Sequence, residues 1–307
     1  MKVFVDGSAG TTGLRIIERL SARKDVDLIA LTDEDRKKPE KRKEAIFESD
    51  VTFLCLPDDA ARESVSLAKG SNAVIIDAST AHRVDPDFAY GFAELSLAHR
   101  NRIVSAKRIS VPGCHASGFI ALVEPLTAAG ILTKDACLTC HSITGYSGGG
   151  KKMIAQYEEG EPLVKAPRQY ALGQTHKHLK EMKVRSGLDT EPIFCPIVSD
   201  FYSGMVVSVP VFKSQLAAGK GMTDIKEAYK ALYTGPMVKY TENMDEDGFI
   251  SGCALSGRDI MEIAVFGNED RILLVARFDN LGKGASGAAI QCMNLAMGAA
   301  ETESLVL

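Results

Sequence analysis

One cysteine occupies a position typical of an enzyme nucleophile. Cys114 follows a Val-Pro-Gly turn (residues 111–113) and precedes an apolar segment that predicts a helix over 116–129. A thiol at a helix N-terminus loses its proton readily, because the positive end of the helix dipole stabilises the thiolate. A thiolate can attack an acyl carbon and form a covalent intermediate. The alternative interpretation is a cysteine that only fills space in a core.

A pair of histidines could supply the proton transfers that such a thiol requires. His176 and His178 flank Lys177 at the start of a segment that predicts a helix. A neutral imidazole can accept the proton of a thiol and later return it. The alternative is a helix start that faces solvent. His115 is next to Cys114 in the chain, and we expect it to line the same site.

A glycine-rich turn near the N-terminus indicates a dinucleotide site. It lies between a predicted strand over 3–6 and a predicted helix, at the start of an α/β pattern. Glycines allow a tight turn and a close approach to a pyrophosphate, whose charge the helix N-terminus stabilises. The glycines are spaced GxxGxxG, and the predicted contacts are Gly7, Ser8, Ala9, Gly10, Thr11, Thr12 and Gly13. The alternative is a glycine turn that binds no ligand.

Charged residues after the second predicted strand bear on the choice of dinucleotide. The segment over 33–38 reads Asp-Glu-Asp-Arg-Lys-Lys, so an acid could bind a ribose hydroxyl. The basic residues favour NADP(H), whose ribose carries a 2′-phosphate, and we assign Arg36 and Lys37 to this contact. Pro57 and Ser79 follow the third and fourth predicted strands, where loops of a parallel sheet line the cofactor crevice.

A second glycine-rich loop follows a predicted strand over 137–143. Ser147 and Gly148 lie in this loop, and Lys151 follows it. Such a loop suits a phosphate or the nicotinamide end of a dinucleotide, and alone it would be only a flexible hairpin. The preceding Cys137-Leu-Thr-Cys140-His141 has the haem-attachment pattern, which we reject because the chain shows no export signal. No second ligand pair at metal spacing supports zinc, so we expect no metal.

The elements that must position these residues follow two patterns. Up to about residue 113, apolar runs alternate with amphipathic helical segments, which is typical of a doubly wound parallel sheet of the Rossmann type. After Cys114, the runs over 205–212, 260–266 and 271–278 predict a mixed or antiparallel sheet in an α+β domain. A small-residue segment over 285–300 has helical periodicity and could pack on the first domain.

The length of the chain indicates the number of domains, and its net charge and apolar runs exclude some classes of protein. At about 150 residues per domain, 307 residues suggest two domains. The net charge of −4 provides no basic surface for nucleic acid, and no apolar run of about 18 residues predicts a membrane span. The N-terminus lacks a signal-peptide pattern, so we expect a cytoplasmic protein with mostly free thiols.

Several ordered motifs together resemble the N-acetyl-gamma-glutamyl-phosphate reductase family, short form, within the semialdehyde dehydrogenase superfamily. The similarity covers nearly the whole chain. It includes the glycine turn, Pro-Gly-Cys114, the loop over 142–150 and His-Lys-His over 176–178. It also includes three further segments: Asp77 to Arg83, Tyr90 to Leu95, and Asp279 to Asn294 with Asn280.

The resemblance implies a domain plan and a reaction. Residues 1–113 and 284–307 would form the NADP-binding domain, and residues 114–283 the catalytic and oligomerisation domain of a homodimer or homotetramer. The reaction implied is NADPH-dependent reduction of an acyl phosphate, N-acetyl-glutamyl 5-phosphate, to the semialdehyde in arginine biosynthesis. Cys114 would form a thioester, with His178 preferred over His176 as acid/base.

The expected cofactor contacts then include Asn280, and the expected substrate contacts are Arg83, Ser117 and Lys151. The chain has His-Ala-Ser117 where the family has an aromatic residue, proline and threonine, so the shape of the pocket wall differs. Two alternatives stay open at this point. One is a reductase for aspartyl or aminoadipyl phosphate, and the other is a non-catalytic protein that senses NADP.

Overall fold

The computed structural model describes residues 1–160 and 162–307. In chain order the strands are β1 Lys2–Asp6, β2 Asp27–Ile29, β3 Val51–Leu54, β4 Val74–Asp77, β5 Ala89–Tyr90, β6 Arg108–Ser110, β7 Thr139–Gly145, β8 Arg168–Gln169, β9 Ile193–Ser199, β10 Met205–Phe212, β11 Val238–Tyr240, β12 Met261–Gly267 and β13 Arg271–Phe278. The helices are α1 Thr11–Ser21, α2 Pro39–Glu48, α3 Asp58–Leu67, α4 Leu97–Ser105, α5 Cys114–Ala128, α6 Gly150–Glu159, α7 His178–Ser186, α8 Met222–Leu232 and α9 Gly287–Ala296.

The described residues divide into two compact units. Unit 1 contains residues 1–93, 97–112 and 285–305, and unit 2 contains residues 94–96, 113–284 and 306–307. Among the described residues, no helix is both long and apolar enough to cross a bilayer.

Unit 1 is built on a parallel sheet with strand order β2-β1-β3-β4-β6-β5. Every residue of β3 and β4 is buried, as expected when helices cover both faces of a sheet. Helix α9 contributes Ile290 and Met293 to the core that contains Val3 and Phe53. The carboxyl ends of these strands lead directly into the glycine turn and into the loops after β3 and β4.

Unit 2 is built on a mixed sheet with strand order β11-β12-β13-β10-β7-β9-β8. β11 with β12 and β7 with β9 are parallel, and the other pairs are antiparallel. Helix α5 packs on β10 and β13, and a Cβ on Gly118 would lie 2.6 Å from Cγ2 of Val207. Only glycine therefore allows this approach of α5 to the sheet.

The predicted fold class, a Rossmann-type parallel sheet with an α+β unit on a mixed sheet, is confirmed. Individual boundaries differ from the predictions. Helix α5 begins at Cys114 itself rather than at Ala116, so the thiol lies in the first helical turn. The predicted helix over 285–300 is a π-helical turn over 282–286 followed by the shorter α9.

Candidate active site

The candidate nucleophile lies at the first residue of α5. Cys114 is half-buried, and the preceding Gly113 donates its backbone N–H to a carboxylate oxygen of Glu181 at 2.9 Å. Glu181 is buried on α7, so this bond joins the starts of the cysteine helix and the histidine helix. The Ser117 hydroxyl donates to the Gly113 carbonyl at 3.0 Å and closes the first turn. The cysteine is therefore held at a fixed helix N-terminus.

Helix α5 lacks one backbone hydrogen bond because of a proline near its C-terminal end, and tyrosines in and just after α8 compensate. Pro125 lies inside the helix and has no N–H to donate to the carbonyl of Ala121, four residues earlier. The Tyr233 hydroxyl donates to that carbonyl at 2.6 Å, and the Tyr229 hydroxyl donates to the next carbonyl, that of Leu122. Burial raises the pKa of both phenols well above the usual value, so both remain donors.

A buried imidazole lies directly after the thiol. His115 is 3% exposed, and burial lowers its pKa to about 3, with a smaller contribution from His176. Its Nδ1 lies 2.7 Å from the hydroxyl of Ser142, and its Nε2 lies 2.7 Å from the hydroxyl of Tyr170. A neutral imidazole has one donor and one acceptor nitrogen, and these two hydroxyls match that requirement. His115 is thus a neutral, hydrogen-bonded side chain at neutral pH.

The two predicted histidines lie together beside His115. The His115 ring centroid is 6.0 Å from that of His176 and 5.6 Å from that of His178, and the last two are 4.7 Å apart. His178 is the first residue of α7 and is buried, whereas His176 is half-buried. The N–H of His178 donates to Nδ1 of His176 at 3.2 Å. This bond favours the His176 tautomer that carries its proton on Nε2.

Tyr170, Ser142, Phe194 and Glu181 belong to this cluster. None was predicted as a site residue, although Ser142 opens the loop over 142–150 that resembles the family. Burial raises the pKa of Tyr170 well above its usual value, and the Cys114 thiolate raises it further. The Phe194 ring lies 5.2 Å from the ring of His115 and 5.1 Å from that of His176. Tyr170 lies six residues before His176, a proximity in sequence that could have indicated it. The other three lie on elements whose pairing no local pattern predicts.

The glycine turn of unit 1 has the shape that a pyrophosphate requires. Gly7 has φ +91°, and a Cβ there would lie 2.2 Å from the carbonyl oxygen of Cys55. Gly10 precedes α1 and has no side chain to cap the first N–H groups of the helix. The first turn contains no acidic residue. Ser8, Ala9, Thr11 and Thr12 are half-buried or exposed, and Gly13 is buried.

The other predicted contacts of unit 1 lie on the loops after β2, β3 and β4. Arg36 and Lys37 are exposed, and Arg36 pairs with Asp33 at 3.2 Å. Pro57 is exposed immediately before α3. Ser79 is buried, and its N–H and hydroxyl both donate to the carboxylate of Asp77 at 2.9 Å.

Arg83 is buried in the same loop region of unit 1. Its Nε donates to the carbonyl of Val111 at 2.9 Å, and its Nη2 donates to the carbonyl of Ala78 at 3.0 Å. These bonds connect the loop after β4 with the chain that leaves β6. They give Arg83 a structural role in addition to the predicted contact with phosphate, which stays a prediction.

The second glycine-rich loop is fixed within unit 2 by Asn280. The Asn280 carboxamide donates to the hydroxyl of Ser147 at 3.0 Å and accepts the N–H of Gly204 at 2.9 Å. Gly148 and Lys151 are exposed. A Cβ on Gly284 would lie 3.1 Å from Cβ of Cys114, so the segment after Asn280 passes the candidate nucleophile.

The other cysteines have different surroundings from Cys114. Burial raises the pKa of Cys55 to about 12, and it also raises the pKa of Cys140. Cys137 is exposed and precedes β7, whereas Cys140 is buried within it, so the two do not form a shared site. Among the described residues, no group of three or more His, Cys, Asp or Glu side chains is arranged to hold a metal.

Comparisons with known proteins decide the family. The model of the semialdehyde dehydrogenase NAD binding domain matches residues 2–103, and that of the semialdehyde dehydrogenase dimerisation domain matches residues 114–280. The N-acetyl-gamma-glutamyl-phosphate reductases of Brucella ovis and Brucella melitensis are each 43% identical over 306 residues, covering 97% of this chain and 99% of theirs. The chain belongs to the N-acetyl-gamma-glutamyl-phosphate reductase family. The resemblance seen in the sequence is therefore confirmed.

Solved structures of more distant proteins share the fold of this reductase family member. Aspartate semialdehyde dehydrogenase II from Vibrio cholerae, complexed with ASA, has a TM-score of 0.74 at 15% identity and covers 97% of this chain and 98% of its own. Aspartate semialdehyde dehydrogenase with NADP from Candida albicans has a TM-score of 0.67 at 15% identity, with coverages of 96% and 97%. At this identity the likeness concerns the fold alone.

Proposed function

We propose that this chain reduces N-acetyl-glutamyl 5-phosphate to N-acetyl-glutamate 5-semialdehyde and phosphate, with NADPH, in arginine biosynthesis. The observation that carries the proposal is Cys114 at the N-terminus of α5, followed by His115, whose ring lies against those of His176 and His178, in a chain 43% identical to named reductases. A thiol in this setting suits acyl transfer rather than passive binding of a dinucleotide. The cytoplasm is the compartment we assign to this biosynthetic step.

The glycine turn of unit 1 fits a dinucleotide. The first-turn N–H groups of α1 and the hydroxyls of Ser8, Thr11 and Thr12 would bind the pyrophosphate, in the absence of any acidic residue in that turn. Arg36 and Lys37 would bind the 2′-phosphate, and Pro57, Ser79, Ser147, Gly148 and Asn280 complete the proposed cofactor contacts. The bound dinucleotide supplies a hydride to the thioester carbonyl.

Cys114 forms the covalent intermediate. Its thiolate attacks the acyl carbon, the new C–S bond forms, and the C–O bond to phosphate breaks, so that phosphate leaves and a thioester remains. A neutral thioester accepts hydride better than the anionic acyl phosphate does. After reduction, the C–S bond of the thiohemiacetal breaks, which releases the aldehyde and returns the thiolate. Backbone N–H groups at the start of α5 would stabilise the oxyanion.

His178 is the proposed acid/base. The ring of His115 is kept neutral by burial and uses both nitrogens for Ser142 and Tyr170. His176 uses Nδ1 to accept the N–H of His178, which leaves its Nε2–H to donate a hydrogen bond. We assign His178, the buried first residue of α7 with its ring 4.7 Å from that of His176, to take the thiol proton and to protonate the developing alkoxide.

The remaining assignments concern substrate binding and domain roles. Arg83, Ser117 and Lys151 would contact the substrate, with Arg83 and Lys151 holding the leaving phosphate. Residues 1–113 and 284–307 would serve as the NADP-binding domain, and residues 114–283 as the catalytic and oligomerisation domain. The match of residues 114–280 to a dimerisation domain supports the second role.

We infer a homodimer or homotetramer that assembles through the open face of the unit 2 sheet. Ile143, Ile193 and Phe212 lie on β7, β9 and β10 and are 40%, 60% and 60% exposed. The strand registers place their side chains on one face. Apolar side chains grouped on an exposed sheet face are typical of a contact between subunits.

The reverse reaction tests the proposed function. The purified chain is mixed with N-acetyl-glutamate semialdehyde, phosphate and NADP+, and the formation of NADPH is followed by absorbance. We expect turnover that depends on phosphate and exceeds turnover with NAD+. Phosphate-dependent turnover with aspartate semialdehyde, and none with the N-acetyl-glutamate compound, would instead assign the related aspartyl phosphate reduction. Binding of NADP+ without turnover on either substrate would indicate a sensor.

A further inference from the structure

The loop between β8 and α7 has an unusual backbone. It runs from Tyr170 to Lys177, so it carries Tyr170 and His176, two members of the cluster around His115. Ala171 has φ +54° and Gln174 has φ +52°, two of the four non-glycine residues with positive φ in the described part of the chain. L-residues rarely adopt this left-handed conformation, and it persists only where surrounding contacts enforce it.

The side chain of Gln174 supplies such a contact. Its Nε2 donates to the carbonyl of Phe194 and its Oε1 accepts the N–H of Phe194, both at 2.8 Å. At the first residue of the loop, the N–H of Tyr170 donates to the carbonyl of Pro196, which like Phe194 lies on β9, at 3.1 Å. The carboxamide thus continues the pairing along β9 after β8 has ended. It occupies both main-chain groups of one residue, as a neighbouring strand would.

Gln174 binds the main chain of Phe194, and the side chain of Phe194 contacts the candidate active site. The Phe194 ring packs against the rings of His115 and His176. The loop that Gln174 holds also presents the Tyr170 hydroxyl to His115. The N–H of Gln174 donates to the carbonyl of Ala171 at 3.0 Å, which closes the turn between these two groups. The Gln174 carboxamide therefore fixes the loop that carries both Tyr170 and His176.

We propose that Gln174 is a positioning residue for the reaction at Cys114. Resting on the proposed function, the inference assigns to the Gln174–Phe194 pair the task of holding Tyr170, His176 and the Phe194 ring around His115, the residue next to the thiol. Only a group with one donor and one acceptor, side by side, can bind both the C=O and the N–H of Phe194. A carboxamide has this pattern, and a protonated carboxyl group has it as well, whereas a carboxylate lacks the donor.

The difference between a carboxamide and a carboxylate gives a test that distinguishes a positioning role from a general effect on stability. In Gln174→Glu, the ionised carboxylate repels the Phe194 carbonyl, and its protonation restores the missing donor. We expect kcat relative to wild type to be about 10- to 100-fold lower at pH 8 and to recover severalfold at pH 5, where about a sixth of an exposed glutamate is protonated. The KM for NADPH should stay unchanged. Gln174→Leu, of similar size, should lose as much kcat at both pH values.

Ala171→Gly is the matched control, because it keeps the carboxamide and tolerates positive φ. Its kcat should stay within about threefold of wild type. The proposal is overturned if Gln174→Leu and Gln174→Glu keep wild-type kcat, or if Gln174→Glu shows no recovery at low pH. Melting temperatures identify a variant that has failed to fold. If Gln174→Leu fails to fold, kcat of Gln174→Glu at pH 5 and pH 8 still provides the comparison.

Alkylation of Cys114 by iodoacetamide separates this proposal from the proposed function, because it requires no substrate. We expect the pH midpoint of alkylation, followed by peptide mass spectrometry, to shift in Gln174→Leu and not in Ala171→Gly. A wild-type chain without reductase turnover, but with this shift, would refute the proposed function alone. If the wild-type chain does reduce its substrate, but the pH midpoint of alkylation in Gln174→Leu equals that of wild type, only the positioning role is refuted.

Discussion

His115 shows how burial determines what one residue can do. It lies next to the candidate nucleophile in sequence, but burial lowers its pKa to about 3, and its two nitrogens bond the hydroxyls of Ser142 and Tyr170. It is therefore unsuited to exchange protons near neutral pH. It binds the Tyr170 hydroxyl, and the proposed mechanism therefore assigns the proton transfers to His178.

The lowered pKa of His115 predicts that stability depends on pH. The folded chain resists protonation at this site down to about pH 3, whereas the unfolded chain binds the proton below the ordinary value of 6.5. The free energy of unfolding should thus fall as the pH drops from 6.5 toward 3. Between pH 6.5 and pH 5, His115 should account for a loss of about 2 kcal/mol. Urea unfolding of wild type and His115→Asn at pH 7.5 and 5 measures it. An equal pH dependence in both proteins would contradict the assignment.

The two histidines of the α7 segment should differ in their effect on turnover. Removing the acid/base costs a factor of about 100 or more, so His178→Asn should lower kcat by that amount. His176→Asn should have a smaller effect, because its amide can still accept the N–H of residue 178 and donate a hydrogen bond. Steady-state kinetics at saturating substrate give the comparison. The larger loss in His176→Asn would reverse the two roles.

Helix α5 begins at Cys114, and the proline near its C-terminal end makes its stability depend on tyrosines in and just after α8. The Ala121 carbonyl has lost its helical donor at Pro125 and is bonded by Tyr233. The Leu122 carbonyl, bonded by Tyr229, still has the N–H of Leu126 four residues later. The two tyrosines are alike in burial but differ in whether the carbonyl has a second donor.

Removing these two hydroxyls should therefore have unequal effects. Tyr233→Phe leaves a buried carbonyl without a donor and should lower the free energy of unfolding by about 1–3 kcal/mol. Tyr229→Phe should cost less, because the helix supplies another donor to that carbonyl. Denaturant unfolding at pH 7.5 provides both values. Equal losses would show that the proline does not create the dependence on Tyr233.

The elements of this fold were predictable where local pattern determines them. β10 and β13 have the bounds predicted from their apolar runs, and the glycine turn lies between β1 and α1 as expected. β9 was not predicted, since Pro196 interrupts its pattern and its place depends on pairing with β7, about 50 residues earlier. Phe194 and Gln174 escaped prediction for the same reason.

For the whole molecule, residue types and order identified the family, whereas the arrangement of the site required the coordinates. Cys114, His176 and His178 were recognised by type and spacing, because their chemistry is rare and local. Tyr170, Glu181 and Phe194 have common side chains that acquire a role only through contacts across the fold. The proposed subunit contact likewise required the coordinates, because β7, β9 and β10, which are distant in sequence, together form the open face of the unit 2 sheet.

The assembly should depend on the open face of the unit 2 sheet. An aspartate at Ile143 would bury a charge between subunits, so Ile143→Asp should lower the molecular mass toward that of the monomer. Val184→Asp is the control, because Val184 is exposed to a similar extent, 47%, but lies on helix α7. Sedimentation equilibrium measures both. An unchanged mass for Ile143→Asp would place the subunit contact elsewhere.

The central claim is that the sulfur of Cys114 carries the acyl group. Its most direct test is to mix the chain with N-acetyl-glutamyl 5-phosphate in the absence of NADPH and to follow phosphate release and intact mass. We predict a burst of about one phosphate per active site, an acyl adduct mapped to Cys114, and neither in Cys114→Ser. Release of phosphate only when NADPH is present, with no adduct at Cys114, would contradict the account.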